Sequence, residues 1–175
     1  MFELPKQKVK LASVNPRAEI HGEEKKPAFD LKFEASCAND VLIYFHAELR
    51  NMLFKKNDSP DLVDQAETEE EKEALTVLRF SKLGALKWDW EGVGYTVTVD
   101  YGLGGPSDIK LGDCKIDGFR FSPQNGGSVL VVFRVICHPE RDDVGRLCEL
   151  IQREIEITVT PPEPTNVGEL FKDAA

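Results

Sequence analysis

ALKWDWE (85–91), EGVG (91–94) and YTVTVDY (95–101) decide the fold class. In the first, Leu86, Trp88 and Trp90 alternate with Lys87, Asp89 and Glu91; in the last, Tyr95, Val97, Val99 and Tyr101 share a face. A period of two marks a strand, because successive strand side chains point to opposite faces of a sheet. With the glycine-bearing EGVG between them, the two segments read as a β-hairpin with one buried side.

Downstream, KIDGFRF (115–121) changes parity at Gly118, where Ile116 falls out of phase with Phe119 and Phe121, so a β-bulge is expected at the glycine. SVLVVFRVIC (128–137) is continuously apolar up to Arg134 and suits a central strand covered on both faces. Asp142 or Asp143 then offers a cap for a helix carrying Val144, Leu147, Cys148 and Ile151, and EIEITVT (154–160) is a last strand. Upstream, KVKLASV (8–14), AFDLKFEA (28–35) and LTVLRF (75–80) read as strands, with a polar loop, NPRAEIHGEEKKP, joining the first two. Asn39 is placed to cap a helix with Val41, Leu42, Phe45, Leu49, Met52 and Leu53 on one face. The expected class is α+β and predominantly antiparallel β, a sandwich or open barrel with two helices packed on it.

A chain of 175 residues fits one core. Hydrophobic content of 41% and charged content of 30% exclude wholesale disorder and fibrous repeats. The expected organisation is a single β-rich domain over 1–162, a mobile acidic connector at 58–74, and a proline-led tail at 163–175. The connector holds eight carboxylates against Lys72 alone and so accounts for −7 of the net −9, which leaves the rest of the chain near neutral. No apolar run suggests a secretion signal or a membrane span. Cys37, Cys114, Cys137 and Cys148 match no finger spacing and read as reduced thiols in a cytoplasmic setting.

Chemistry-bearing patterns are sparse. YGLGGPSD (101–108) lacks the third glycine of a dinucleotide loop and reads as a tight turn. Asp108-Ile109-Lys110 and Asp113-Cys114-Lys115, with Asp100 upstream, supply the letters of a metal-dependent nuclease at spacings too compressed for adjacent strands. His21, His46 and His138 are scattered, and no metal site or cofactor is expected. Trp88 with Trp90 and Phe119 with Phe121 stand at the spacing a base-stacking platform needs, with Arg120 between the last two. Alternation with charged neighbours favours core filling for these rings, and a single-stranded nucleic-acid platform is the alternative.

Three stretches, VNPRAEIHGEEKKPAFDLKF, LKWDWEGVGYTVTVDYGLGG and HPERDDVGRLCELIQREIEITV, resemble a group of uncharacterised proteins of tailed phages and prophages. The resemblance implies an early-gene context of DNA replication and recombination, in the host cell cytoplasm, and brings no site residues with it. The expected function is a non-enzymatic accessory role, binding single-stranded DNA or a DNA-processing protein. The alternative is an inhibitor of a host defence nucleoprotein or nuclease that uses acidic surface to occupy a nucleic-acid site.

Overall fold

The computed structural model describes residues 1–21, 24–57, 75–102 and 107–163, the side chains of 20–26 excepted. The expected acidic connector at 58–74 and all but the first residue of the expected tail lie outside these residues. Among the described residues there are nine strands: β1 (Leu4–His21), β2 (Glu24–Ala38), β3 (Phe54–Lys56), β4 (Leu75–Leu78), β5 (Leu86–Trp88), β6 (Gly92–Val99), β7 (Ile109–Gln124), β8 (Ser128–Cys137) and β9 (Glu154–Thr160). A 3-10 helix (Asn39–Tyr44) and two short α-helices, α1 (Leu49–Leu53) and α2 (Arg141–Glu149), accompany them. The expected α+β class dominated by antiparallel β therefore holds.

The strand pairings close a ring. In order, β6, β9, β1, β2 and β8 are neighbours, and β7 pairs with both β8 and β6, all antiparallel. Closure distinguishes a barrel from a sandwich and gives each of these strands two hydrogen-bonding neighbours over the paired stretch. Inward side chains such as Leu11, Leu31, Phe33, Val97, Val131 and Val135 are fully buried and form one hydrophobic cluster. Each stabilises by about 1.5–3 kcal/mol relative to exposure.

Several expectations need correction. The segments 85–91 and 95–101 do not form a hairpin. Leu86, Lys87 and Trp88 pair with Phe121, Arg120 and Phe119, and Gly92, Tyr95, Val97 and Val99 pair further down the same strand with Ile116, Cys114, Leu111 and Ile109. β5 and β6 therefore run end to end along β7. EGVG does not reverse the chain; Gly94, at φ +74°, lies within the register shift between Gly92 and Tyr95. The polar stretch NPRAEIHGEEKKP is not a loop but the outer part of the β1–β2 ribbon, paired from Asn15↔Asp30 out to His21↔Glu24. This ribbon runs past the last β1–β9 partner at Lys10 and the last β2–β8 partner at Phe29.

The helix expected from Asn39 is broken into the 3-10 helix and α1, and Met52 is exposed. Asn39 is no cap. Its buried amide donates to the Leu75 carbonyl at 2.6 Å and accepts from Arg50 Nε at 2.8 Å, and its backbone N–H reaches the Gly127 carbonyl. That cross-linking of three segments replaces the local capping bond, because a buried polar group needs partners wherever they stand. On α2, Glu140 takes the cap position without a side-chain bond, and Leu147 and Leu150 are buried while Cys148 is exposed.

The bulge at Gly118 is present: φ is +69° and the β7–β8 register shifts between Asp117 and Arg120. A second irregularity at Asp113, φ +50°, was not expected. Between them they move the inward positions of β7 from Ile109 and Leu111 to Cys114 and Ile116 and back to Phe119 and Phe121. β8 alternates, with Val129, Val131, Phe133 and Val135 inside and Leu130, Val132 and Arg134 only half-buried outside, so it is not covered equally on both faces.

Candidate nucleic-acid interface

The parity of β7 sorts the sequence-predicted residues into two groups. Phe119 and Phe121 point inward and are completely buried. The Phe119 ring stacks on Phe133 at 5.8 Å between centroids and meets Phe2 at 5.0 Å and Phe45 at 4.8 Å; Phe121 lies 4.7 Å from Phe45. Trp90 stands edge-on to Phe119 at 5.5 Å, and Trp88 lies 6.4 Å from Phe121. Both tryptophans are half-buried at the end of the barrel where the 3-10 helix packs. As a stacking platform the set is therefore corrected for Phe119 and Phe121, which have no exposed face on which a base could lie; with Trp88 and Trp90, half-buried against the same cluster, they form a ring plug.

Arg120 is on the other side of the sheet. Its partner across β5–β7 is Lys87, so two cations project side by side from directly opposed backbone positions. Across β7–β8 Arg120 is opposite Val132, whose partner across β8–β2 is Glu34; Lys32 is opposite Arg134, two residues further along the strands. Lys87, Arg120, Arg134 and Lys32 share the outer face and form a staggered row over β5, β7, β8 and β2, three strand spacings or about 14 Å wide, with Glu34 standing in the line of Lys87 and Arg120. Next to it lies a shallow depression of about 340 Å³ whose lining includes Asn15, Asp30, Lys32, Gly118, Arg120 and Arg134. Gly118 lacks a side chain where the bulge needs a left-handed backbone, which keeps this part of the depression open.

The cations of the row are not equivalent. Arg134 is clamped by Asp117 through two hydrogen bonds, at 2.7 and 2.8 Å, and reaches Asp30 at 3.4 Å. The hydrogen bonds to Asp117 hold its guanidinium above the usual arginine range. Lys32, Lys87 and Arg120 have no ion pair among the described residues. Like charges set directly opposite each other destabilise a strand pair. Lys87 beside Arg120 is thus an arrangement that an anionic partner would relieve.

The remaining candidates are not brought together. Asp100 accepts a hydrogen bond from the Gly102 N–H at 2.7 Å and so shapes a turn, while 103–106 of the glycine-rich loop lie outside the described residues. Lys115 is paired with Glu91 at 2.6 Å. Asp108 and Lys110 line a polar cleft with His138, Glu140, Asp143 and Arg146, but no three His, Cys, Asp or Glu groups among the described residues converge as metal ligands. His46 accepts from the Glu48 N–H, and His138 faces Glu19 at 3.2 Å. Burial pushes the thiols of Cys37 up to about 11 and of Cys114 and Cys137 to about 12, which leaves them poor nucleophiles at neutral pH.

Sequence reasoning named Arg120 among the candidate binding residues and missed Lys32, Lys87 and Arg134. The parity that removes the rings also gathers these cations, but only the strand order shows that they are neighbours. No helix among the described residues is long and apolar enough to cross a membrane. Comparison with protein-family models, with curated proteins and with solved structures finds no match.

Proposed function

We propose that this protein acts by binding, and that the outer face of β5–β7–β8–β2 takes the phosphate backbone of single-stranded nucleic acid. The observation that carries the reading is the directly opposed pair Lys87 and Arg120, neither of them in an ion pair among the described residues, with Lys32 on the same outer face. A row of cations in a shallow channel is the means by which proteins track a single strand without reading its sequence. The acidic net charge does not oppose this. At 0.15 M salt the Debye length is about 8 Å, so charge near the row decides the interaction more than the total for the chain. The resemblance to phage early-region proteins adds a role as an accessory of DNA replication or recombination.

Fluorescence anisotropy of labelled oligothymidylate at low salt tests the reading. The expected result is saturable binding that leaves the oligonucleotide intact, weakened by Lys87→Glu together with Arg120→Glu. Binding unaffected by that double substitution contradicts the assignment of the face. An absence of binding to any nucleic acid at low salt contradicts the nucleic-acid reading and transfers the role to a protein partner.

A further inference from the structure

The nucleic-acid reading leaves the row of cations without a ring on its own face, since Phe119 and Phe121 are buried and Trp88, opposite Phe119, and Trp90 pack against the same inner cluster. One aromatic side chain lies elsewhere. Phe80 is 59% exposed, more than any other aromatic among the described residues, and it sits in the segment RFSKLGALK (79–87) between β4 and the end of β5. This segment carries Arg79, Lys82 and Lys87 and no carboxylate, in a chain with 31 acidic residues against 22 basic ones. Lys82 has no ion pair among the described residues.

The segment is anchored at its start. The Arg79 N–H donates to the Leu53 carbonyl at 2.9 Å, and Arg79 Nε donates to the carbonyls of Asn51 at 2.8 Å and Phe54 at 3.1 Å. A turn follows, closed by the Leu83 N–H to the Phe80 carbonyl at 3.1 Å, and presents Phe80 with Leu83 beside it, itself 39% exposed. The chain then enters β5, where Lys87 begins the basic row. An apolar ring held out from a pinned turn has no folding role that its exposure reveals, and the segment that carries it is positively charged.

We infer that Phe80 is a nucleobase-stacking residue at the β5 end of the basic row. This rests on the nucleic-acid reading above. Phosphates of a single strand lie along Lys32, Arg120 and Lys87, and a base next to Lys87 turns onto the Phe80 ring. Stacking on a ring is sequence-tolerant, because every base offers a π-face, and the interaction needs an unpaired base. It therefore selects single strands over duplex, in which the bases are occupied with one another.

The test compares the full chain with its Phe80→Ala variant on two probes, oligothymidylate and an abasic deoxyribose-phosphate oligomer of the same length. Phe80→Ala is expected to weaken oligothymidylate binding by about 5- to 150-fold, the range for loss of one stacked base, and to leave the abasic probe and the melting temperature unchanged. Phe80→Trp should restore the affinity. Equal affinity of wild type and Phe80→Ala for oligothymidylate, or the same loss on both probes, overturns the inference. If Lys87→Glu with Arg120→Glu abolishes binding to both probes while Phe80→Ala changes neither, the stacking role falls and the basic face stands. If the wild type binds neither probe, both fall.

Discussion

Phe119, Arg120 and Phe121 are consecutive residues, yet they belong to two regions with different physics. Inside the barrel, Phe119 and Phe121 are fully buried among Phe2, Phe45, Phe133 and Trp90, and the chemistry is dispersion and exclusion of water. Outside, Arg120 stands beside Lys87 and above a depression floored by Gly118, and the chemistry is unbalanced charge in solvent. One strand serves both because its side chains alternate, and the bulge at Gly118 sets the phase. The difference assigns stability to the rings and leaves the proposed binding to the cations. A substitution should therefore affect one property and spare the other.

The sharpest way to break this division is to exchange the effects. Phe119→Ala or Phe121→Ala should cost about 3–5 kcal/mol of stability in urea denaturation, as for other buried aromatics, while Arg120→Ala stays within about 0.5 kcal/mol. A loss from Arg120→Ala as large as that from the phenylalanines would mean that the outer face is part of the structural core.

Alkaline pH should weaken the inner region in turn. The buried thiols of Cys37, Cys114 and Cys137 are raised from 9.0 to about 11, 12 and 12, so the folded state keeps protons that the unfolded chain releases above pH 9. The stability these thiols contribute is full below about pH 9 and is lost as pH rises toward 12, the sign required when the native state binds more protons. Urea midpoints measured across that window should fall, and substituting all three cysteines with alanine should flatten the decline. At neutral pH a thiol reagent should label Cys148, which is exposed, and spare the other three.

Two glycines grade the boundary between the regions. A Cβ on Gly92 would lie 2.5 Å from Tyr95 Cε2 and 2.7 Å from Trp90 Cη2, so Gly92→Ala should cost about 1–3 kcal/mol by overpacking the ring plug. Gly118 has room for a side chain, with Arg134 Cβ at 3.7 Å, but its φ of +69° makes Gly118→Ala cost about 1–2 kcal/mol through the backbone. Gly118→Asn should cost less, because asparagine tolerates that conformation, and thermal denaturation of the three variants checks the order.

Much of this architecture is legible in the sequence, and the failures have local causes. Period two in YTVTVDY and the parity change at Gly118 report side-chain direction, and both survive in β6 and β7. The supposed hairpin failed because a glycine at positive φ serves a bulge within an extended chain as well as it serves a reversal, and only the partner strand distinguishes them. NPRAEIHGEEKKP looked like a loop because its strands have partners only in each other beyond Pro16 and Phe29, so no apolar face marks them. The candidate site failed for a related reason. Trp88, Trp90, Phe119 and Phe121 have the same spacing whether they face a ligand or a core, whereas the row from Lys87 to Lys32 depends on a strand order that no local pattern carries.

The central claim, that the outer face and not the ring plug binds nucleic acid, is tested most directly by the salt dependence of oligothymidylate affinity. Three phosphate contacts, at Lys32, Arg120 and Lys87, predict a slope of log affinity against log salt of about −2, and Lys87→Ala with Arg120→Ala should reduce it to about −0.7 without changing the melting temperature. An unchanged slope in that folded double variant would contradict the account.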